Sequence, residues 1–164
     1  MDDNFSILVV EDDANDVMLL KRALNKNQIS NPVQVLADGA EAIAYLTGFS
    51  DPANRCDRPF PRFILLDLKM PRRSGFEVLE WMHGSPIFRS IPKIILTSSS
   101  HKSDVERAYG LGATSYLVKP ANFDDLQKMI KTVCDYWSAC LPTNGTGSPT
   151  GDPVNPVNLV GALT

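Results

Sequence analysis

The sequence predicts an α/β fold, a doubly wound sheet of five parallel strands with helices on both faces. Three observations lead there. Apolar runs of four to six residues alternate with stretches of helical period, as repeated βα units and a parallel sheet require. Four of those runs stop at a polar residue: 7–10 at Glu11 and Asp12, 63–66 at Asp67, 94–96 at Thr97, and 116–118 at Lys119. At 164 residues the chain is long enough for one domain with a proper core.

The elements follow in order. A first strand is placed at Ser6–Val10, then a helix over 15–26 that turns Val17, Leu20 and Leu24 inward. Val33–Leu36 reads as the second strand. Asp38 and Gly39 open a helix carrying Ala42, Ile43 and Leu46, and Gly48 ends it. Residues 49–62 hold Pro52, Pro59 and Pro61 and read as a loop. Strand three is 63–66. The helix after Gly75 carries Phe76, Val78, Leu79 and Met82, and strand four is 93–96. A short helix over 103–110 and a Gly112-Ala113 turn lead into Ser115–Val118. Asn122 caps a last helix with Phe123, Leu126, Ile130, Val133 and Trp137, which stops before Pro142. The domain is expected to occupy residues 1–141. Residues 142–164 hold four prolines, four glycines and a single charge, Asp152, so a flexible tail is expected there.

Composition excludes several classes. Hydrophobic residues make up 43% and charged residues 21%, as in an ordinary globular protein. A net charge of −3 gives no concentrated basic face, so no nucleic-acid partner is expected. No apolar run approaches the roughly 18 residues a membrane span needs, and the start, Met1-Asp2-Asp3-Asn4, is unlike a signal peptide. Cys56, Cys134 and Cys140 are odd in number and lack zinc spacing, which reads as reduced thiols in a cytoplasmic protein.

The polar strand ends carry the chemistry. In an open parallel sheet, ligands bind in the crevice outside the carboxyl ends of the strands. Acids, a hydroxyl and an amine would converge in one pocket there. An ionised Asp67 after four large apolar residues is costly unless something cationic holds it.

This set resembles the receiver domain of two-component response regulators. The matching residues are Glu11, Asp12, Asp67, Thr97 and Lys119-Pro120, with Gly75 after the Asp67 loop and Tyr116 three before Lys119. A closer likeness is to the receivers that work with bacterial phytochromes. It rests on the Pro-rich loop before Asp67, the stretch from Ile91-Pro92 to Thr97-Ser98-Ser99, and Tyr136-Trp137 late in the last helix. The resemblance implies a flavodoxin-like sheet in the order 2-1-3-4-5. It also implies a phosphoryl group passing from a sensor histidine kinase, a phytochrome among the candidates, to Asp67. A carboxylate nucleophile forms an acyl phosphate. Asp12 and Asp67 would ligate Mg²⁺ or Mn²⁺, with Glu11 acting through water and the Lys69 backbone carbonyl completing the protein ligands. Lys119 would pair with Asp67 or its phosphate as a point charge. Thr97 and Tyr116 would be the switch. A cis Lys119–Pro120 bond would aim the amine inward. The domain would assist its own phosphorylation and hydrolysis without being a turnover enzyme. Its output would be a protein contact, and the likeness implies a homodimer through the last helix face.

Plainer readings stand beside these. Glu11-Asp12 reads equally as a helix cap. Asp13 reads as solvated or capping, and Asn15 and Asp16 border the site entrance. Arg72 and Arg73 read as solvated, and His83 and His101 as surface residues. Two rival functions differ in kind. A haloacid-dehalogenase-like phosphatase wants a second carboxylate two residues after its nucleophile, where this chain has Lys69. A scaffold that never carries phosphate would normally lack one of the acids or the lysine, and all are present.

Overall fold

The computed structural model describes residues 5–51, 53 and 59–140. Among them, five parallel strands form one sheet in the order β2-β1-β3-β4-β5. The strands are β1 (Ser6–Val10), β2 (Val33–Leu36), β3 (Pro61–Leu66), β4 (Lys93–Thr97) and β5 (Ser115–Val118). The helices are α1 (Ala14–Lys26), α2 (Gly39–Thr47), α3 (Gly75–His83), α4 (Lys102–Gly110) and α5 (Phe123–Ala139). The expected strand order is the observed one. Most predicted boundaries coincide with the observed ones, and the rest differ by a residue or two. The tail predicted at 142–164, Cys56 and Pro52 lie outside the described residues.

The sheet is buried on both faces, which is why its strands read as continuous apolar runs. Successive side chains on a strand point to opposite faces. Leu8, Val10, Ile64, Leu66 and Ile95 face one way, onto Ala42, Leu46, Val78, Leu79, Met82 and Ala108 from α2, α3 and α4. Ile7, Val9, Phe63, Leu65, Ile94 and Leu96 face the other, onto Leu20, Ala23, Leu24, Leu126, Ile130 and Cys134 from α1 and α5. A one-residue slip of register would exchange the two sets. Trp137, half-buried near the end of α5, packs against the second cluster. The helix runs far enough along the sheet to reach the start of β1, where Phe5 lies in the same cluster.

Four of the five helix starts are fixed by a side-chain cap, and α4, which follows His101, has none. Asp13 caps α1, Asp38 caps α2 and Asn122 caps α5. Ser74 and Glu77 form a reciprocal capping box on α3. Asp13, not Glu11 or Asp12, takes the capping role at α1, which leaves the acidic pair to point elsewhere.

Candidate functional site at the carboxyl end of the sheet

The strand order reverses between β1 and β3, since β1 pairs with both β2 and β3. The crevice at such a switch point lies above the carboxyl ends of the two strands. Glu11 and Asp12 leave β1 there, and Asp67 leaves β3.

Glu11 is buried. Its Oε1 accepts the Asp13 backbone N–H at 3.0 Å and its Oε2 accepts from Lys119 Nζ at 2.6 Å. Asp12 is exposed to solvent. Asp67 is 7% exposed, and its Oδ1 accepts the Leu68 N–H at 2.7 Å. One carboxylate oxygen from each of Glu11, Asp12 and Asp67 lies within 4.8 Å of the others. Three hard oxygens, one on an exposed residue open to water, suit Mg²⁺ or Mn²⁺, which keep several waters beside few carboxylates. Desolvation, with Asp67 nearby, pushes the Glu11 carboxyl up to about 7 despite its bond to Lys119. A divalent cation would reverse that balance.

The loop after Asp67 is pressed onto the α3 start. Gly75 N–H donates to the Leu68 carbonyl at 3.0 Å, and a Cβ at Gly75 would meet the Asp67 carbonyl oxygen at 2.1 Å. Glycine is therefore required for that close approach. Lys69 is exposed in this loop, as are Arg72 and Arg73. Arg72 is not simply solvated. It sits at φ +62, donates from Nε to Asp38 Oδ2 at 2.6 Å and lies 3.6 Å from Glu41. Asp38, also bonded by the Glu41 backbone N–H, is held below the usual carboxylate range. The Gly39 N–H donates to the Arg73 carbonyl at 3.1 Å. The site loop is thus tied to the α2 start by two links that the sequence reading missed; an Arg at positive φ gives no sign in sequence.

The amine comes from the other side. Lys119 Nζ lies 2.6 Å from Glu11 Oε2, 2.7 Å from Asp16 Oδ2 and 3.5 Å from Asp67 Oδ2. Burial works to lower this amine, but the bonds to Asp16 and Glu11 prevail and raise it above its ordinary value. Among the described residues no peptide bond is cis, which corrects the expectation for Pro120. The trans form is the lower one for an X–Pro bond by about 0.5–1 kcal/mol, and Lys119 reaches its carboxylates without the cis turn. Asp16, read only as a neighbour of the entrance, proves to be one of its two closest partners.

Thr97 is fully buried at the end of β4, and its carbonyl accepts the Lys119 N–H at 2.8 Å. Its hydroxyl lies 3.5 Å from the Ser99 N–H, a weak contact at best. Tyr116 is half-buried and donates from its hydroxyl to the Ser99 carbonyl at 3.0 Å. Burial keeps that hydroxyl protonated above the ordinary tyrosine range. Ser99 in turn donates to Asp104 at 2.5 Å. Thr97 and Tyr116 therefore meet through one short loop between β4 and α4. The side chains of His83 and His101 are exposed, as expected, with His101 at the N-cap of α4. A separate open groove of about 710 Å³ runs along α1, lined by Val17, Met18, Lys21 and Arg22 among others. It holds none of the acids.

Comparison with known proteins agrees with this geometry. The response regulator receiver domain model matches residues 7–131. The probable methanogenesis regulatory protein FilR2 of Methanothrix harundinacea is 37% identical over 136 residues, covering 83% of this chain and 85% of FilR2. Response regulator Rcp1 of Synechocystis is 36% identical over 131 residues, covering 80% and 87%. Its Mn²⁺-bound crystal form superposes with a TM-score of 0.72 at 33% identity, over 84% of this chain and 97% of that one. The phosphorylated cyanobacterial phytochrome response regulator RcpA superposes with a TM-score of 0.75 at 32% identity, over 85% and 99%. The chain belongs to the response regulator receiver family.

Proposed function

We propose that this receiver accepts a phosphoryl group on Asp67 from the phosphohistidine of a sensor kinase and signals through protein contacts. The single observation that carries the reading is the convergence of Glu11, Asp12, Asp67 and Lys119 at the switch point, with one oxygen of each acid within 4.8 Å of the others. In the transfer, Asp67 Oδ attacks phosphorus, the P–N bond breaks, and its electron pair returns to the imidazole. Positioning and charge neutralisation supply most of the catalysis in such a step. A Mg²⁺ or Mn²⁺ ion held by Asp12, Asp67, the Lys69 carbonyl and, through water, Glu11 would neutralise phosphoryl oxygens. The Lys119 ammonium would take a phosphoryl oxygen from the opposite side. The buried Thr97 hydroxyl would donate to another, and the Ser99 loop would carry that change to Tyr116. Hydrolysis of the acyl phosphate by water returns the resting state. The domain assists its own chemistry but turns over no outside substrate.

Partner assignments rest on likeness and on surface. Rcp1 and RcpA are response regulators that this chain covers almost completely, and RcpA's link to a phytochrome favours a kinase of that kind. Met18, 60% exposed and flanked by Lys21 and Arg22 on α1, offers the donor a docking face beside the site. Exposed Val118 on β5 and half-buried Tyr136 on α5 support a homodimer through the α4–β5–α5 face. No helix among the described residues is long and apolar enough to cross a membrane, which favours action in the cytoplasm. The deciding experiment is transfer from a ³²P-labelled histidine kinase. Label should move to the wild-type chain and not to Asp67→Asn. Equal labelling of both removes the assignment.

A further inference from the structure

We infer that Asp16 is a positioning residue for phosphoryl acceptance: it holds the Lys119 amine beside Asp67 but off it, and releases that amine when a phosphoryl group arrives. The inference rests on Asp67 as the phosphoacceptor, yet that assignment does not itself require Asp16.

The distances carry it. Lys119 Nζ lies at hydrogen-bond length from Glu11 (2.6 Å) and Asp16 (2.7 Å), whereas Asp67 is left at 3.5 Å. Ammonium–carboxylate bonds run about 2.7–2.9 Å, so the third contact is not a formed bond. An ammonium has three donors, and two are committed to carboxylates other than the nucleophile. The two partners are not equivalent. The Glu11 side chain is 3% exposed and would be stranded without the amine, while the Asp16 side chain is 35% exposed and can be taken up by water. Asp16 is therefore the partner that can let go.

Local structure holds Asp16 in place. Asp13 Oδ1 accepts the Asn15 and Asp16 backbone N–H groups at 2.8 and 3.0 Å, fixing the first turn of α1. That turn presents Asp16 to the end of β5. An amine hydrogen-bonded to Asp67 would occupy an oxygen that must reach phosphorus. Shared between Glu11 and Asp16, it stays within reach and leaves Asp67 Oδ2 without that bond. A phosphoryl group brings more charge than Asp16 and draws the amine across, at the expense of the Asp16 pair. Removing the Asp16 charge removes that expense, so the site should hold a phosphoryl mimic more tightly.

The test uses the full chain with saturating Mn²⁺ and beryllofluoride as the mimic, with affinity read by calorimetry. Asp16→Asn keeps the shape and removes the charge. It should tighten binding by about three- to tenfold, the net scale of one ordinary hydrogen bond, as suits a pair whose acid is partly exposed. Asp13→Asn makes the same charge change three residues away, retains a good cap, and should move the affinity less than about twofold. Without the mimic, the ¹⁵Nζ resonance of Lys119 should shift in Asp16→Asn and stay in place in Asp13→Asn. Equal gains in both variants, or an unmoved Lys119 resonance, would overturn the inference and leave Asp16 as part of a general acidic field. Failure of the phosphoacceptor assignment looks different: wild type and Asp67→Asn would bind the mimic equally, and the role of Asp16 would fall with it.

Discussion

Two amines, one half-buried and one buried, stand at opposite ends of the sheet. Lys119 follows β5 at the carboxyl end, and Lys93 begins β4 at the amino end. Lys93 is 3% exposed and its Nζ donates to one neutral acceptor, the Arg89 carbonyl, at 2.6 Å. Burial alone pulls it down to about 8. The Lys119 side chain is 17% exposed, yet its pKa rises, because Asp16 and Glu11 bond to it. Partners, not burial, decide the charge. Where acids surround the amine it is a committed cation that can balance a phosphate. Where only a carbonyl meets it, the charge is a burden on the fold.

Replacing each amine by methionine should separate the two ends most sharply. Lys119→Met strands Glu11 and Asp67 and should cost about 3–5 kcal/mol at neutral pH without metal. Lys93→Met replaces a desolvated cation by an apolar chain of similar length and should be neutral or stabilising by about 1–3 kcal/mol. Chemical denaturation reads both. Similar losses for the two would dissolve the contrast.

Metal sharpens the same contrast. Mn²⁺ should raise the melting temperature of the wild type, since it binds the folded state preferentially. Asp12→Ala should abolish that rise and increase metal-free stability by relieving repulsion among the acids. An unchanged Mn²⁺ affinity in this variant would remove the site.

The pH profile separates the ends by sign. Glu11 has its folded pKa raised from 4.5 to about 7, so the folded state binds more protons between those values, and stability falls as pH rises through them. Lys93 has its folded pKa lowered from 10.5 to about 8. The unfolded state then binds more protons between 8 and 10.5, and stability rises across that window. Their joint contribution to metal-free stability is lowest between about pH 7 and 8. Lys93→Met should flatten the alkaline limb only, and Mn²⁺ should flatten the acid limb only.

The smallest effect on stability belongs to Thr97, the proposed switch residue. Thr97→Ala removes a hydroxyl whose only described contact is long and should cost about 1 kcal/mol or less. The variant should still accept phosphate but lose the phosphate-dependent change in partner or dimer affinity, read by sedimentation. Normal coupling in Thr97→Ala would place the switch elsewhere.

Sequence showed the strand ends well and the links between them poorly. Asp67, Glu11, Asp12, Thr97 and Lys119 stood out because each interrupts or ends an apolar run, and burial on both faces makes such runs continuous. Asp16 did not, because an acid in the first turn of a helix is ordinary and its partner lies 103 positions away. The Asp38–Arg72 link was hidden for the same reason, and Arg72 read as solvent-facing because its backbone turn has no sequence signature. Lys93 sat inside a strand pattern as one polar letter, with nothing to say that it would be buried against Arg89. The cis bond expected at Pro120 came from an argument about aim; the trans chain brings Lys119 to Glu11 and Asp16 without it.

The most direct measurement of the central claim is intact mass after incubation with phosphoramidate and Mg²⁺, followed by mapping of the modified residue. The account predicts one phosphoryl group on Asp67 in the wild type, none without the divalent ion, and none in Asp67→Asn. A phosphoryl group on another residue, or equal incorporation by the Asn variant, would contradict it.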